Sequence, residues 1–374
     1  MANHPTRIGV VTGGGDAPGL NAVIRAVVLS AGQHGWECYG IRDGFNGLLT
    51  PEHCIGEAVK RLTADDVHAI GHLGGTILGT SNRGSPLRFP VRGADGVLTE
   101  TDRTDEVVAL CRQHGFEGLV VVGGDGSMAI AEALHRKGLR VIGVPKTIDN
   151  DLDHTFSTFG FDTAVGFATE CIDRLHTTAN SLHRVMVVEV MGRYAGWIAL
   201  HAGMAAGAHA ILIPEIPFNV DLVADAILTR DGAGRLHSIV VVAEGAQPVG
   251  GQREIIAPAG VGHSERLGGI GVRLEAQLAE RTGKDCRSVV LGHLLRGGSP
   301  SAFDRVVASR FGAAAVRALA HGHAGVMVSL GYPEIGLVPL AQVAGRTKRV
   351  PVDGDTVVTA RELGICFGDV AVAG

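Results

Sequence analysis

Short β-branched runs that stop at glycine turns and give way to apolar-periodic stretches recur along this chain, and that repeated unit constrains its fold more than any other feature. Arg7 to Val11 is the first such run; the turn GGGDAPG follows, and then a helical pattern from Leu20 to His34. Further strand-like runs lie at Cys38 to Ile41, Leu119 to Val122, Val141 to Val144, Val185 to Val190, Ile211 to Ile213, Ile239 to Ala243, Val289 to Leu291 and Val326 to Leu330. Helical patterns such as Asp105 to His114, Ala129 to Lys137, Thr163 to Ala179, Ile270 to Thr282 and Phe303 to His321 alternate with most of them. The alternation implies an α/β protein with mainly parallel sheets and helices on both faces. Of the 55 glycines, one triplet (Gly13–Gly15) and the pair Gly123-Gly124 directly follow apolar runs, where such a protein turns from strand to helix around a ligand.

At 374 residues the chain exceeds the size at which one core keeps growing, so two domains are expected. A boundary is placed near Phe159, where a second series of strands and helices begins, with a later return of the chain. Gly245 to Gly269, rich in Gly, Pro and polar residues, reads as a long loop at the surface or over a ligand. The formal charge is −5, and no Lys/Arg tract is interleaved with aromatics as a polynucleotide groove requires. The N-terminus lacks the apolar core of a signal peptide, and no segment approaches a membrane span, so no membrane association is expected. Six widely spaced cysteines without a CxxC pair fit reduced thiols in cytoplasm.

Two acidic glycine turns at consecutive strand ends carry the chemistry. Gly123-Gly124-Asp125-Gly126-Ser127 follows four apolar residues, so a helix N-terminus faces whatever binds there, and backbone N–H groups can cradle phosphates. Pro145-Lys146-Thr147-Ile148-Asp149-Asn150-Asp151 sets two carboxylates two residues apart, on one side of an extended segment. One can act as a base that accepts a hydroxyl proton and the other as a metal ligand. Together the turns point to phosphoryl transfer.

Three further features support that reading. Val11 to Asn21 forms another glycine turn into a helix, with donors for distal phosphates; no GxxxxGK[ST] occurs, which excludes the common P-loop. Arg193 lies in the glycine-flanked turn VMGRYAG, and Arg184, Arg287, His293 and Arg296 recur at other strand ends. The planar fork of arginine matches phosphate oxygens.

The motifs VTGGGDAPGLN, VVGGDGS, PKTIDND, VVEVMGRYAGW and LGHLLRGGSP resemble, in order, those of 6-phosphofructokinases, over about residues 7 to 330. The resemblance implies two Rossmann-like domains: 1–159 with about 295–345 for the nucleotide, and 160–294 with about 346–374 for fructose 6-phosphate. It also implies a homo-oligomer whose sugar site is completed by a neighbouring subunit, and phosphorylation of the sugar 1-hydroxyl. By motif, Asp149 resembles the proton acceptor, Asp125 and Asp151 the Mg²⁺ ligands, Thr147 a sugar contact and Arg193 the group that stabilises the transferring phosphoryl. Arg184 and Arg287 resemble the arginines lent across the interface to the 6-phosphate. Met191, Gly192, Glu244, His293 and Arg296 resemble the remaining sugar contacts. Gly15, Arg83, Gly123, Gly124, Asp125, Gly126 and Ser127 would meet the nucleotide.

Two positions bear on the donor and point in different directions. Gly126 follows the ATP-using pattern and Lys146 the pyrophosphate-using one, as in a mixed-substrate group of the family. A side chain at 126 would fill the space of the nucleotide's α-phosphate, so ATP is the expected donor, pyrophosphate is the alternative, and Lys146 is taken as flexible enough to adapt to either. Arg25 and Arg61 sit where the family places basic effector residues, while Leu29 and His176 replace expected arginines, which implies weak or absent nucleotide regulation. A sugar-phosphate sensor without activity would have lost a carboxylate or an arginine, and kinases of NAD or lipids would leave TIDND unexplained.

Overall fold

The computed structural model describes residues 5–93, 96–258, 260–261 and 265–370. The chain begins β1 (Arg7–Thr12), α1 (Leu20–Gln33), β2 (Glu37–Ile41), α2 (Asn46–Leu49), β3 (Val59–Leu62), β4 (Phe89–Arg92) and β5 (Leu98–Thr101). Next come α3 (Thr104–Gln113), β6 (Phe116–Gly123), α4 (Asp125–Arg136), β7 (Val141–Pro145), α5 (Phe161–Leu182), β8 (Val185–Val190), α6 (Trp197–Ala205), β9 (Ala210–Leu212) and α7 (Val220–Gly232). It finishes with β10 (Ser238–Ala243), β11 (Ile255–Ala257), β12 (Arg266–Leu267), α8 (Ile270–Thr282), β13 (Cys286–Val290), α9 (Ala302–Ala320), β14 (Val326–Gly331), β15 (Glu334–Pro339), α10 (Leu340–Val343) and α11 (Asp355–Glu362).

Two larger sheets organise these elements. One, in the order β15-β14-β7-β6-β1-β2-β3, is parallel except at its edges, where β3 and β15 run antiparallel to their neighbours. The other, β13-β8-β10-β9, is parallel throughout. Alternate residues of each strand serve opposite faces. In the first sheet Ile8, Val10, Val120 and Val122 pack under α1 and α9, whereas Val11, Leu119 and Val121 pack against Val107 of α3 and Met128 of α4. In the second, Met186 and Val188 face α5 and α6, while Val185 and Val187 face α7 and α8. Burial on both faces is what selects uninterrupted apolar strands and sets helices over each side.

The strand order reverses at β1. Its successor β2 lies on one side and β6 on the other, so the connections leaving their C-terminal ends part and open a crevice there. The glycine turns after β1 and β6 and the acidic turn after β7 all leave from this end.

Some elements depart from the sequence reading. The antiparallel edge strands need no crossover helix, so the strand-helix alternation does not mark them. Helix α6, WIALHAGMA, is apolar almost all round and shows no one-sided stripe. The Gly245 to Gly269 loop is not devoid of structure: β11 and β12 pair as a small antiparallel ribbon with Ile255 and Ile256 exposed. Residues 259 and 262–264 of that loop lie outside the described residues. No helix among the described residues is long and apolar enough to cross a membrane, and all six cysteines are free thiols.

Candidate active site

The ends of β1, β6 and β7 are tied directly to one another. Gly13 N–H donates to Val122 O at 2.9 Å, and Lys146 N–H donates to Gly123 O at 3.0 Å. Only glycine fits at 123, because an added Cβ would lie 2.1 Å from Ser127 Oγ and 3.1 Å from Gly13 O. Ser127 and Met128 N–H both turn back to Gly124 O at 3.0 Å, so α4 starts at once and aims its N-terminus into the crevice. At Gly126 the opposite holds: an added Cβ would meet no atom within 4 Å. That open space is where the sequence reading expects the donor. The loop after β1 approaches from the other side, with Gly14 N–H on Ser81 O at 3.0 Å and Thr80 Oγ donating to Gly14 O at 2.7 Å. Arg83 is exposed beside it, its N–H on Ser81 Oγ at 3.1 Å.

Lys146 does not have the freedom expected of it. Its side chain is buried and its ammonium donates to Gly15 O, which pins the β1 loop to the acidic turn. Burial, and then the neighbouring Arg296, pulls the ammonium down to about 7.

The acidic turn is also not the extended segment that its Asp-Asn-Asp spacing suggests. Asn150 has φ 51, in the left-handed region where asparagine is among the few tolerated residues, and this breaks the two-residue alternation. The carboxylates still come together. Burial first, and the Asp151 charge second, push Asp149 well above the ordinary carboxylate range, with Arg296 and Arg193 opposing. Asp151 is likewise raised by burial, with the Thr147 hydroxyl opposing and Asp125 adding to the rise. Asp149 Oδ1 is buried and has no hydrogen-bond partner, so it is the orphaned acceptor of the site. Thr147 braces the turn, its Oγ accepting Asp149 N–H at 3.1 Å and its carbonyl accepting Thr158 Oγ at 2.7 Å.

These residues fit a magnesium ion that arrives with phosphates. Among the described residues no three His, Cys, Asp or Glu side chains converge as a ready-made metal cage. Magnesium needs no such cage, since it is usually held by one or two carboxylates plus waters and substrate phosphates. Asp125, held by Gly345 N–H at 2.7 Å, and Asp151 lie close enough for one charge to raise the other, and could supply those two.

The second sheet brings the cations. Met191, Gly192 and Arg193 follow β8, and Glu244 follows β10, with Glu244 N–H on Val190 O at 2.9 Å and Gly245 N–H on Gly192 O at 3.0 Å. Arg193 is near enough to both Asp149 and Glu244 to lower their pKa, although burial leaves Glu244 raised overall. Arg296, from the turn Gly292–Arg296, reaches across to Asp16 O at 3.1 Å and stands against Gly15 and Lys146. His293 is exposed on the same turn.

Arg184 and Arg287 stand apart from this group. They lie at the N-terminal ends of β8 and β13, bound to the two oxygens of Asp285, Arg184 Nε at 2.5 Å. A strand rises about 3.3 Å per residue, so the length of β8 separates them from Met191 by roughly 20 Å. The effector positions lie on three elements, α1, β3 and α5. Arg25 and Leu29 lie on α1, and Arg61 on β3 pairs with Glu37 at 3.2 Å. His176 on α5 packs against the rings of His209 and His237.

The sequence reading missed Lys348. Within GRTKR it looks like one of several solvated cations, yet its ammonium donates to Asn150 Oδ1 at 2.9 Å. It missed Glu189 as well, a buried carboxylate that accepts Gly271 N–H at 2.8 Å from the first turn of α8.

A crevice at a strand-order reversal, lined by glycine turns, three carboxylates and facing arginines, defines an α/β phosphotransferase. A model of the phosphofructokinase family matches residues 7–319, and the chain belongs to that family. It is 54% identical over 369 residues to the ATP-dependent 6-phosphofructokinase of Chloroflexus aggregans, covering 99% of both chains. It is 50% identical over 350 residues to the pyrophosphate–fructose 6-phosphate 1-phosphotransferase of Amycolatopsis mediterranei, covering 93% of this chain and 97% of that protein. Among solved structures it is similar to the phosphofructokinase of Pichia pastoris, with a TM-score of 0.77 and 30% identity; 96% of this chain matches 36% of that longer one.

Proposed function

We propose that this protein transfers the γ-phosphoryl group of ATP to the 1-hydroxyl of fructose 6-phosphate, yielding fructose 1,6-bisphosphate. The observation that carries the reading is the pairing of an open Gly126 position at the start of α4 with the orphaned, raised carboxylate of Asp149 beyond it. Asp149 takes the hydroxyl proton as the oxygen attacks, and its burial supplies the basicity that this step needs. Arg193 neutralises charge on the transferring group, Arg296 and Lys146 hold the β1 loop against the acidic turn, and the α4 N-terminus receives donor phosphates. When bound through Asp125 and Asp151, Mg²⁺ would add neutralisation of phosphate charge. Met191, Gly192, Glu244 and His293 would bind the sugar, and Thr147 orients the base.

Two separate sheets, each buried on both faces, support the division into a donor domain (1–159 with about 295–345) and a sugar domain (160–294 with about 346–374). Because Arg184 and Arg287 lie far from the sugar contacts of their own chain, they are assigned to the 6-phosphate of a second copy in a homo-oligomer. Free thiols throughout fit a reducing cytoplasm. Initial rates with ATP and with pyrophosphate as parallel donors test the reading. Absence of sugar phosphorylation with either would overturn it, and a faster pyrophosphate reaction would reassign the donor in line with Lys146 and the Amycolatopsis relative.

A further inference from the structure

One segment outside the matched motifs touches both acidic turns. Gly345 N–H donates to Asp125 Oδ1 at 2.7 Å, Lys348 N–H donates to Asp151 O at 2.8 Å, and Val350 N–H donates to Glu215 Oε1 at 2.8 Å. Glu215 in turn accepts Gly196 N–H at 3.1 Å, three residues beyond Arg193. The strap from 345 to 350 thus links the donor turn, the acidic turn and the arginine turn.

We propose that Lys348 is a positioning residue for phosphoryl transfer, fixing the turn that carries Asp149 and Asp151 by binding Asn150 and the chain just beyond it. Its single nitrogen donates to Asn150 Oδ1 at 2.9 Å, Thr155 O at 2.9 Å and Phe156 O at 3.2 Å. A compact ammonium with three donors suits three convergent acceptors, which a planar guanidinium fork does not. From the other side Trp197 covers it: the indole Nε1 donates to Lys348 O at 3.0 Å, and the ring centroid lies 5.5 Å from Nζ. What Lys348 holds is a conformation that does not hold itself. Asn150 occupies φ 51 between the two aspartates, and its side-chain oxygen is shared between Lys348 and Thr158 N–H at 3.2 Å. Releasing the lysine frees the turn at its least favourable residue, and a displacement near 1 Å of a catalytic group costs roughly 10²-fold in rate.

The inference rests on the phosphotransferase reading above, and the experiment separates the two. An unmodified chain that does not phosphorylate fructose 6-phosphate refutes that reading, whereas the positioning role is read from variants relative to a working parent. Lys348→Met, Asn150→Gly and the double variant are compared for kcat, for KM of each substrate and for thermal melting. They are made in a Trp36→Phe background, so that Trp197 is the sole tryptophan. Lys348→Met is expected to shift Trp197 emission in the chain free of metal and nucleotide, and to lower kcat roughly 10- to 100-fold with both KM values within about threefold. The double variant is expected to fall no further than about threefold below the weaker single, because both remove one linkage. A kcat within threefold of the parent, a rise in KM alone, or losses that multiply in the double variant would each overturn the proposal. Should Lys348→Met fail to melt cooperatively, Lys348→Arg decides. It keeps the charge but not the convergence, so kcat should drop at least about threefold at steady KM, and parental kcat would refute the role.

Discussion

Gly126→Asp isolates the donor question from folding. A Cβ at this position meets no atom within 4 Å, and Gly126 is not among the residues with positive φ, so the side chain enters the crevice without strain. The new carboxylate also sits in the first turn of α4, where the helix dipole favours a negative charge by about 0.3–1 kcal/mol. Stability should therefore hold or rise slightly. Function should not hold, because the carboxylate would occupy the space of the nucleotide's α-phosphate. Two unit charges about 4 Å apart at an effective dielectric near 20 repel by about 4 kcal/mol, equivalent to a roughly 10²- to 10³-fold loss in kcat/KM for ATP. The assay is a thermal melt followed by initial rates over a range of ATP and, in parallel, of pyrophosphate, which has no α-phosphate of a nucleotide to exclude. A variant that melts like the parent and uses ATP within threefold of it would refute both the placement of the nucleotide and the electrostatic reasoning.

Other changes probe the remaining parts of the site. Asp149→Asn should cost roughly 10²- to 10⁴-fold in kcat with little change in KM, and a near-normal rate would remove Asp149 from proton transfer. Because Asp149 is raised by burial, it is protonated over a wider acid range than an ordinary carboxylate; kcat/KM should fall on acidification well above pH 3.8, and a limb near 3.8 would contradict the burial argument. Gly123→Ala drives a methyl group into Ser127 and should destabilise the chain by about 1–3 kcal/mol in urea melts, with Ser127→Gly restoring part of the loss; full stability would show that the β1 and β6 turns are looser than described. Asp304, buried at the start of α9 with Oδ1 unpartnered, is pushed up to about 6 from an ordinary 3.8. Below 3.8 both folded and unfolded chains are protonated there. As pH rises from 3.8 to about 6 the unfolded chain ionises while the folded chain keeps its proton, so stability falls across that window, by about 3 kcal/mol in total. Urea melts between about pH 4 and about pH 7 should show that decline in the parent relative to Asp304→Asn, and parallel curves would refute it.

The strand-helix alternation, the glycine turns and the carboxylates were legible in the amino-acid order because each is a local property. β-branched runs extend, glycines turn, and an acidic glycine turn between strand and helix presents backbone donors and carboxylates at the strand's C-terminal end. The fold class and the acidic turns follow from such patterns; the roles of Asp125, Asp149, Asp151 and Arg193 rest on the family resemblance, and the crevice rests on a strand order that only packing fixes. Tertiary packing decided the rest. The freedom of Lys146 ended once burial placed its ammonium on Gly15 O, and the one-sided spacing of Asp149 and Asp151 gave way to Asn150 at φ 51. Arg184 and Arg287 look like Arg193 in sequence, but they fall at the opposite end of their strands, bound to Asp285. Lys348 is 198 residues from the asparagine it holds. Contacts of that span depend on where whole elements pack against one another, and no short-range pattern encodes them.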